Sequence, residues 1–251
     1  MPKIAIIGGT GLTSLNGLEI LKKEVVHTPY GEPSAPFIYG RMASTEVVFL
    51  ARHGAGHTIP PHRINYRANI WGLKQIGVTH VFAVAAVGGI ADNAPPGQIV
   101  IPDQIVDYTW SRPSTFYEEE LSEVTHVDFS YPYSESMRAL MISTGQAVGL
   151  SITETGTYGA TQGPRLETAA EIRRMATDGC TIVGMTGMPE AVLAREAEQE
   201  YACCAVVANW AAGRGDGRII TMDEIDANLK EGMTSVRTLL TQLLPQCVTE
   251  D

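Results

Sequence analysis

The stretch HVFAVAAVGG, at His80–Gly89, is a long apolar run that ends in two glycines. A continuous apolar run of this kind is typical of a strand that is buried on both faces. Comparable strand-like runs occur at 3–8, 46–51, 151–158, 180–185 and 201–209. Helix-like segments separate them, at 65–75, 133–148, 189–198 and 225–243. Alternating strands and helices predict an α/β fold with a largely parallel or mixed central β-sheet flanked by helices on both faces.

The composition limits the kinds of protein that this chain can be. Its 251 residues and 44% hydrophobic content suit a single domain, which we place at 1–251. A formal charge of −10 argues against a nucleic-acid partner, because such binding depends on Lys and Arg neutralising phosphates. The sequence has no signal-peptide pattern, no membrane-length apolar run and no C-x-x-C pair. We therefore expect a cytoplasmic protein without a membrane partner.

Three segments that follow strands carry groups suited to an anion. They are IIGGTG at 6–11, ARHGAGH at 51–57 and VGMTGMPE at 183–190. Glycines allow backbone N–H groups to approach an anion, and the hydroxyls of Thr10 and Thr186 are further donors. Arg52 and His53 add a fork of donors and a titratable group. Since active-site groups of open sheets follow the strands, these segments predict a shared cleft.

Several simpler explanations compete with this one. The glycine-rich start is also typical of nicotinamide-binding folds. However, no tyrosine is followed by lysine four residues later and no G-K-[ST] loop is present, which disfavours dinucleotide binding. Pro189 and Glu190 match the ordinary chemistry of a helix start. Together with the segments at 85–90 and 161–168, the pattern predicts a cleft for an anion and a small neutral molecule, with no metal and no organic cofactor.

Seven motifs occur in the order and spacing of one known family. They are IIGGTGL, LARHGAGHTIPPHRINYRANIWGLK, AVGGI, GQIVIPDQIVDYT, RPSTFY, QGPRLET and VGMTGMPEAVLAREA. On these motifs, which cover nearly the whole chain, the sequence resembles the trimeric purine nucleoside phosphorylase and 5′-methylthioadenosine phosphorylase family. Within that family it resembles the bacterial branch that acts on 5′-methylthioinosine.

The resemblance implies a reaction in which inorganic phosphate, a co-substrate, attacks C1′ of a purine nucleoside. The purine leaves and a pentose 1-phosphate forms through a transition state similar to an oxocarbenium ion. The family's phosphate site matches Thr10, Arg52, His53, Ala85, Ala86 and Thr186. Its nucleoside contacts match Met185, Leu166, Glu167, Asn209, Trp210 and Ala211. Among these, the resemblance implies catalytic roles for Asn209, His53 and Thr186.

Two of these residues bear on which purine is bound. The methylthioadenosine enzymes carry Asp where this chain has Asn209, and a second Asp where it has Ala211. A carboxylic acid can protonate N7 of a 6-aminopurine, whereas a carboxamide accepts from N7–H and donates to O6 of a 6-oxopurine. Glu167 matches the residue that accepts from N1–H in 6-oxopurine enzymes, although a carboxylate beside Thr168 is also typical of a helix start. We therefore expect a preference for 6-oxopurines.

The stretch ITMDEI, at 220–225, concerns the 5′ end of the nucleoside. By the same resemblance, Met222 and Ile225 match valines of the methylthioadenosine enzymes, and Asp223 replaces a His that lies near a 5′-hydroxyl. An apolar pocket favours a methylthio group by about 1–3 kcal/mol. Met222 and Ile225 also fit the apolar stripe of the last helix, so a core role stays open.

The two pockets together predict 5′-methylthioinosine as the substrate. The alternatives are a 5′-methylthioadenosine phosphorylase and an inosine or guanosine phosphorylase. In a different class, a non-catalytic nucleoside-binding protein also stays open.

The resemblance further implies an assembly. His126 matches a residue that reaches into the site of the neighbouring subunit, so a homotrimer is expected. The segment from Tyr108 to Tyr133 is a long loop of the kind that is often functional. His57 and His62 stay open between the phosphate or 5′ region and a structural role. We expect the 5′ pocket to lack the longer C-terminal tail that closes it in methylthioadenosine enzymes.

Overall fold

The computed structural model describes residues 3–12, 15, 17–118, 123–217 and 219–248. The helices in this part are α1 (Tyr66–Gln75), α2 (Glu135–Ala147), α3 (Ala169–Thr177), α4 (Gly187–Glu196) and α5 (Met222–Leu243). The strands are β1 (Ile4–Gly8), β2 (Glu19–Glu24), β3 (Phe37–Met42), β4 (Thr45–Ala51), β5 (His80–Gly89), β6 (Ile99–Val100), β7 (Gln104–Asp107), β8 (Ile152–Thr153), β9 (Thr157–Ala160), β10 (Ile182–Gly184) and β11 (Glu200–Trp210). Short 3₁₀ helices occur at Pro61–Arg63 and Leu244–Val248. No helix of the described part is long and apolar enough to span a bilayer.

These strands form one mixed sheet around β5. The main strand order is β2-β3-β4-β1-β5-β10-β9-β7, while β11 pairs with both β5 and β6. β1 and β11 run parallel to β5, and β10 runs antiparallel to it. The mixed α/β sheet that the sequence predicted is therefore confirmed.

Along one side, β5 changes its neighbour, and this change opens the sheet. Residues 80–83 pair with β1, whereas Gly88 and Gly89 pair with β10. On the other side, β11 follows β5 over its full length. Between β1 and β10, the strands of the described part leave residues 84–87 of β5 without a pairing partner on that side. Ala85 and Ala86 therefore border a gap.

Helices cover both faces of the sheet, and β5 contributes to both cores. Val81 and Ala83 belong to the core that includes residues of α1 and α4, whereas Phe82 and Val84 belong to the core that includes residues of α2 and α5. Successive side chains of a strand point to opposite faces. Both faces are apolar, which explains why the run at His80–Gly89 contains almost no polar residue.

The structure differs from the sequence prediction in several elements. The predicted strand over 151–158 is two short strands, β8 and β9. β11 continues past Asn209 to Trp210, with a register irregularity between Val207 and Asn209. The β2–β3 hairpin and α3 were not predicted. The residues of β2 are exposed or half-exposed, so this strand lacks the buried apolar pattern on which the prediction depended.

Candidate active site

A cleft lies where β5 parts from β1 and meets β10. Its cavity volume is about 170 Å³. It brings together most of the residues that the sequence analysis selected, namely Thr10, Arg52, His53, Ala85, Ala86, Leu166, Glu167, Met185, Thr186, Asn209, Ala211 and Ile225. Met185 and Thr186 follow β10, which runs antiparallel to β5 and pairs with its last residues. This pairing brings them to the cleft. The sequence analysis had assumed that the strands leading to the cleft end at the same edge of the sheet.

One end of the cleft is built from tight backbone turns that leave room for an anion. Gly9 follows β1, and a Cβ at this position would lie 2.8 Å from both Arg52 Nη1 and the carbonyl oxygen of Val84. Only glycine therefore fits between these groups. The next residue, Thr10, lines the cleft, and its Oγ1 lies 3.0 Å from Nε2 of His57.

Thr186 lies on the other wall of this end and precedes α4. It is the N-cap residue of α4, yet its side chain makes no capping hydrogen bond, and it lines the cleft. Met188, near the start of α4, has non-helical backbone angles, so Thr186 does not precede a regular helix N-terminus and its hydroxyl is the group available to an anion. Thr10 and Thr186 line the same cleft, and their role in binding an anion stays a prediction.

Arg52 is buried beneath this space in an ion pair that the sequence analysis missed. Its Nε and Nη2 donate to the two carboxylate oxygens of Glu190 at 2.6 and 2.8 Å, and its Nη1 donates to the carbonyl of Val84 at 2.8 Å. Arg52 is 1% exposed and Glu190 is 0% exposed. Burial opposes the charge on the guanidinium, but the Glu190 carboxylate outweighs it and raises the pKa of Arg52.

Glu190 therefore has a role beyond the helix start to which the sequence assigned it. A carboxylate at a helix start is usually solvated and interacts with the helix dipole. Here it is fully buried, and the Oη of Tyr201 donates to its Oε1 at 2.9 Å. The partner residue Arg52 lies 138 positions away in the sequence, so no local pattern could reveal the pair.

His53 lines the cleft as a neutral imidazole. Its Nδ1 lies 2.8 Å from the carbonyl oxygen of Ile59, which can only accept, so Nδ1 carries the hydrogen. Burial, with a smaller contribution from the charge of Arg52, lowers the pKa of His53 from 6.5 to about 4. At neutral pH, Nε2 is therefore a hydrogen-bond acceptor. The ring stacks on His57 with 4.7 Å between centroids.

Asn209 and Glu167 face the other end of the cleft. Asn209 is 8% exposed, and its Nδ2 donates to the carbonyl of Trp210 at 2.7 Å. This bond directs the amide and leaves one further N–H and the carbonyl oxygen as recognition groups. Oε1 of Glu167 accepts from Oγ1 of Thr161 at 2.6 Å. The pair thus offers a donor and several acceptors to a planar polar ligand.

The helix-start explanation for Glu167 does not hold. Thr168 is the N-cap of α3, and the acidic residue that completes the capping box is Glu171, whose side chain accepts from the backbone N–H of Thr168. Glu167 lines the cleft and takes no part in this cap.

An apolar wall closes the remaining side of the cleft. It consists of Ile220, Ile225 and Leu229. Ile225 also packs against the core that includes α5, so its two predicted roles are compatible. Met222, which the sequence assigned to this wall, is 66% exposed at the start of α5 and does not line the cleft. Ile220, two residues before the first residue of α5, was missed although it belongs to the same quoted stretch.

Two further residues from the sequence analysis lie outside the cleft. Trp210 is half-buried, and its ring packs so closely against Gly215 that a Cβ there would collide with it. His126 is exposed and lies in the loop from Tyr108 to Tyr133, of which residues 119–122 fall outside the described part. Neither lines the cleft within this chain.

Arg112 in the same loop is a buried residue that the sequence analysis did not single out. Its guanidinium donates to the carbonyls of Met185, Met188, Thr161 and Gln162, at 2.6 to 3.1 Å. It therefore joins the segment that carries Thr186 to the segment that carries Glu167. Its position in the motif RPSTFY was the only available signal.

The geometry described so far agrees with what comparison with known proteins shows. The family model described as the phosphorylase superfamily matches residues 3–245. The chain belongs to this superfamily, and it is a nucleoside phosphorylase, that is, a pentosyltransferase. This membership argues against the alternative of a non-catalytic nucleoside-binding protein.

Individual relatives define the similarity more closely. A protein of Xanthomonas campestris pv. campestris named probable S-methyl-5′-thioinosine phosphorylase is 53% identical over 240 residues, which are 96% of each chain. The 6-oxopurine nucleoside phosphorylase of Pyrococcus furiosus is 46% identical over 245 residues, 96% of this chain and 91% of the relative. The methylthioadenosine phosphorylase of Schistosoma mansoni, solved with adenine, superposes with a TM-score of 0.95 at 31% identity, covering 100% of this chain and 93% of the other.

Proposed function

We propose that the protein cleaves 5′-methylthioinosine with inorganic phosphate to give hypoxanthine and 5-methylthioribose 1-phosphate. The observation that carries the proposal is that Asn209 and Glu167 share one cleft with the apolar wall of Ile220, Ile225 and Leu229. The relatives named for S-methyl-5′-thioinosine support the same substrate.

The chemistry assigned to the cleft is a substitution at C1′. A phosphate oxygen forms a bond to C1′ while the C1′–N9 bond breaks and its electron pair moves to the purine. Thr10, Arg52 and Thr186 donate to phosphate beneath the sugar, and Nε2 of His53 accepts from the P–OH group of hydrogen phosphate. The gap beside Ala85 and Ala86 exposes backbone. Catalysis then depends on this positioning and on stabilising the leaving purine, which takes up a proton from solvent at N7.

The base end is complementary to a 6-oxopurine. The Asn209 carbonyl accepts from N7–H, and its amide N–H that is not bonded to Trp210 donates to O6. The Glu167 carboxylate accepts from N1–H, with Thr161 donating to Oε1 to orient it. Adenine presents a lone pair at N1 and an amino group at C6, so it would leave the half-buried carboxylate of Glu167 and the buried amide of Asn209 without their partners.

The experiment that tests this proposal is parallel phosphorolysis of 5′-methylthioinosine, 5′-methylthioadenosine and inosine, each with and without phosphate. We expect methylthioinosine to be turned over best and only with phosphate. If methylthioadenosine is preferred, the roles of Asn209 and Glu167 are wrong. If inosine is preferred, the protein is a general 6-oxopurine phosphorylase, the alternative that the Pyrococcus furiosus relative favours.

A pair of substitutions tests the 5′ wall separately. Ile225→Ala removes apolar contact with the methylthio group, so we expect the preference for methylthioinosine over inosine to fall about three- to tenfold. Met222→Ala is the matched control on the same helical turn, and the exposure of Met222 predicts an unchanged preference. Equal effects of the two changes would contradict the assignment of this wall.

The proposal includes a homotrimer in the cytoplasm, in which His126 reaches the cleft of a neighbouring subunit. Cys180, Cys203 and Cys204 are buried thiols, which suits a reducing compartment. Light scattering after size-exclusion chromatography measures the subunit number. Phosphate is the only co-reactant in the proposal, so turnover should persist in a metal chelator. Loss of activity with EDTA would contradict this part.

A further inference from the structure

Within the described part of the chain, Glu190 is the one buried acidic residue, and it contacts Arg52, which lines the cleft. It lies at the start of α4, is fully buried, and receives Nε–H and Nη2–H of Arg52 in a two-point contact. A guanidinium has five N–H donors in a rigid plane. Glu190 takes two of them and the Val84 carbonyl takes a third, while Arg52 itself lines the cleft.

We propose that Glu190 and Tyr201 are positioning residues for phosphate binding. They act through Arg52, because the two-point contact fixes the plane of the guanidinium and turns its remaining N–H groups towards the cleft. Tyr201 in turn fixes the carboxylate, since its hydroxyl donates to Oε1 of Glu190 at 2.9 Å. The inference rests on the proposed function, in which Arg52 contacts phosphate.

The charges of the residues around Arg52 indicate how the anion is bound. Arg52 and Glu190 form a net-neutral pair, and His53 beside them is neutral. Phosphate is therefore bound by correctly directed donors and not by an excess of positive charge. A bidentate contact supplies such direction, whereas a point charge does not.

Kinetics on two Glu190 variants separate direction from charge. Glu190→Gln removes the charge and replaces one acceptor by an NH₂ that faces the guanidinium. Glu190→Asp keeps the charge but shortens the side chain by one methylene. We expect both variants to raise the phosphate KM at least tenfold, with the nucleoside KM changed less than twofold. A lower phosphate KM in Glu190→Gln, or a wild-type value in Glu190→Asp, would show that Glu190 only neutralises charge.

Tyr201→Phe tests the chain of contacts without disturbing the ion pair. It removes one hydroxyl and keeps the ring, so it should fold even if the Glu190 variants do not. We expect a two- to fivefold rise in the phosphate KM at an unchanged nucleoside KM. An unchanged phosphate KM would overturn the role of Tyr201.

Two further variants show whether a negative result concerns the role of Glu190 or the assignment of the phosphate site. Glu135→Gln breaks the contact of Glu135 with another buried arginine, Arg138, which otherwise bonds to the carbonyls of Pro102 and Glu154. It should leave both KM values unchanged. Arg52→Lys tests the underlying assignment. If Arg52→Lys raises the phosphate KM and the Glu190 variants do not, the positioning role fails alone, whereas no effect in any variant means that the phosphate site lies elsewhere.

Discussion

The protonation state of His53 links a single residue to the stability of the whole fold. Its pKa is lowered from 6.5 to about 4 because the ring is buried. Between pH 6.5 and 4 the unfolded chain therefore binds a proton at this residue that the folded state does not bind. Stability due to this group is therefore full above pH 6.5 and is lost as the pH falls towards 4. The loss is at most about 1.4 kcal/mol per pH unit.

Urea unfolding at pH 7.5, 5.5 and 4.5 measures this prediction. His53→Gln keeps an N–H for the Ile59 carbonyl but does not titrate, so its stability should fall less steeply between pH 6.5 and 4 than that of the wild type. Identical slopes would mean that His53 is not a buried neutral imidazole. Comparison of the two proteins cancels the contribution of the carboxylates.

Asn209→Asp changes the group that we assign to N7 and O6. Ionised Asp cannot donate to O6, whereas protonated Asp can transfer its proton to N7 of adenine. We expect kcat/KM for 5′-methylthioinosine to fall at least tenfold, and more than kcat/KM for 5′-methylthioadenosine. Asn228→Asp is the matched control, because Asn228 also donates to a backbone carbonyl, that of Ala208, without lining the cleft. It should affect both substrates equally, and an equal loss in Asn209→Asp would contradict the role of Asn209.

At this scale, residue type and position after apolar strands predicted Thr10, Arg52, His53 and Thr186 as candidate anion-binding residues, because single donors in such positions have few structural uses. The nucleoside contacts and Met222 followed from the resemblance to the family. The structure shows instead that Glu190 is buried and that Met222 does not line the cleft. Burial of Glu190 depends on Arg52, which is distant in sequence. The orientation of Met222 depends on where α5 begins. Thr221 sets that start by capping the helix through its side chain, and the apolar periodicity of the helix does not reveal it.

Among the larger elements, the loop that contains Arg112 joins two segments of the cleft. Its guanidinium bonds to backbone carbonyls on both segments, and a lysine has neither the reach nor the planar fork to replace it. We expect Arg112→Lys to lower kcat/KM about tenfold or more and to cost about 1.5–3 kcal/mol of stability. Steady-state kinetics and thermal unfolding measure the two effects.

Arg165→Lys provides the control for this change. Arg165 lies in the same region, but it is exposed and bonds to Glu171. Exposed ion pairs contribute little, so we expect stability within about 0.5 kcal/mol of the wild type and unchanged kinetics. If Arg112→Lys behaves like Arg165→Lys, the two segments do not depend on Arg112.

Long buried elements were predicted well and short or exposed ones were not. β5, β11 and α5 carry sustained apolar patterns, so periodicity located them within a few residues. β2 is exposed, and β6 and β8 have only two residues each, too few for any period to appear. The antiparallel direction of β10 depends on pairing with the end of β5, a contact that alternation of strands and helices does not encode.

For the whole molecule, the phosphate end of the cleft is assembled from separate parts of the chain. Thr10 follows β1, Arg52 and His53 follow β4, and Thr186 follows β10. Phosphate bound there would connect these strands in the folded state and would find no such site in the unfolded chain. Binding to the folded state alone adds RT ln(1 + [L]/Kd), which is about 2.7 kcal/mol at 100 times Kd.

This linkage predicts a phosphate-dependent rise in Tm. A stabilisation of 2.7 kcal/mol corresponds to about 5–11 °C for a domain of this size. Thermal unfolding is measured in increasing phosphate and in chloride at matched ionic strength, and only phosphate should give the full rise. Arg52→Lys should need a higher phosphate concentration for the same rise. An equal rise in chloride would mean that salt, and not an assembled anion site, stabilises the fold, and the phosphate role of these residues would then be wrong.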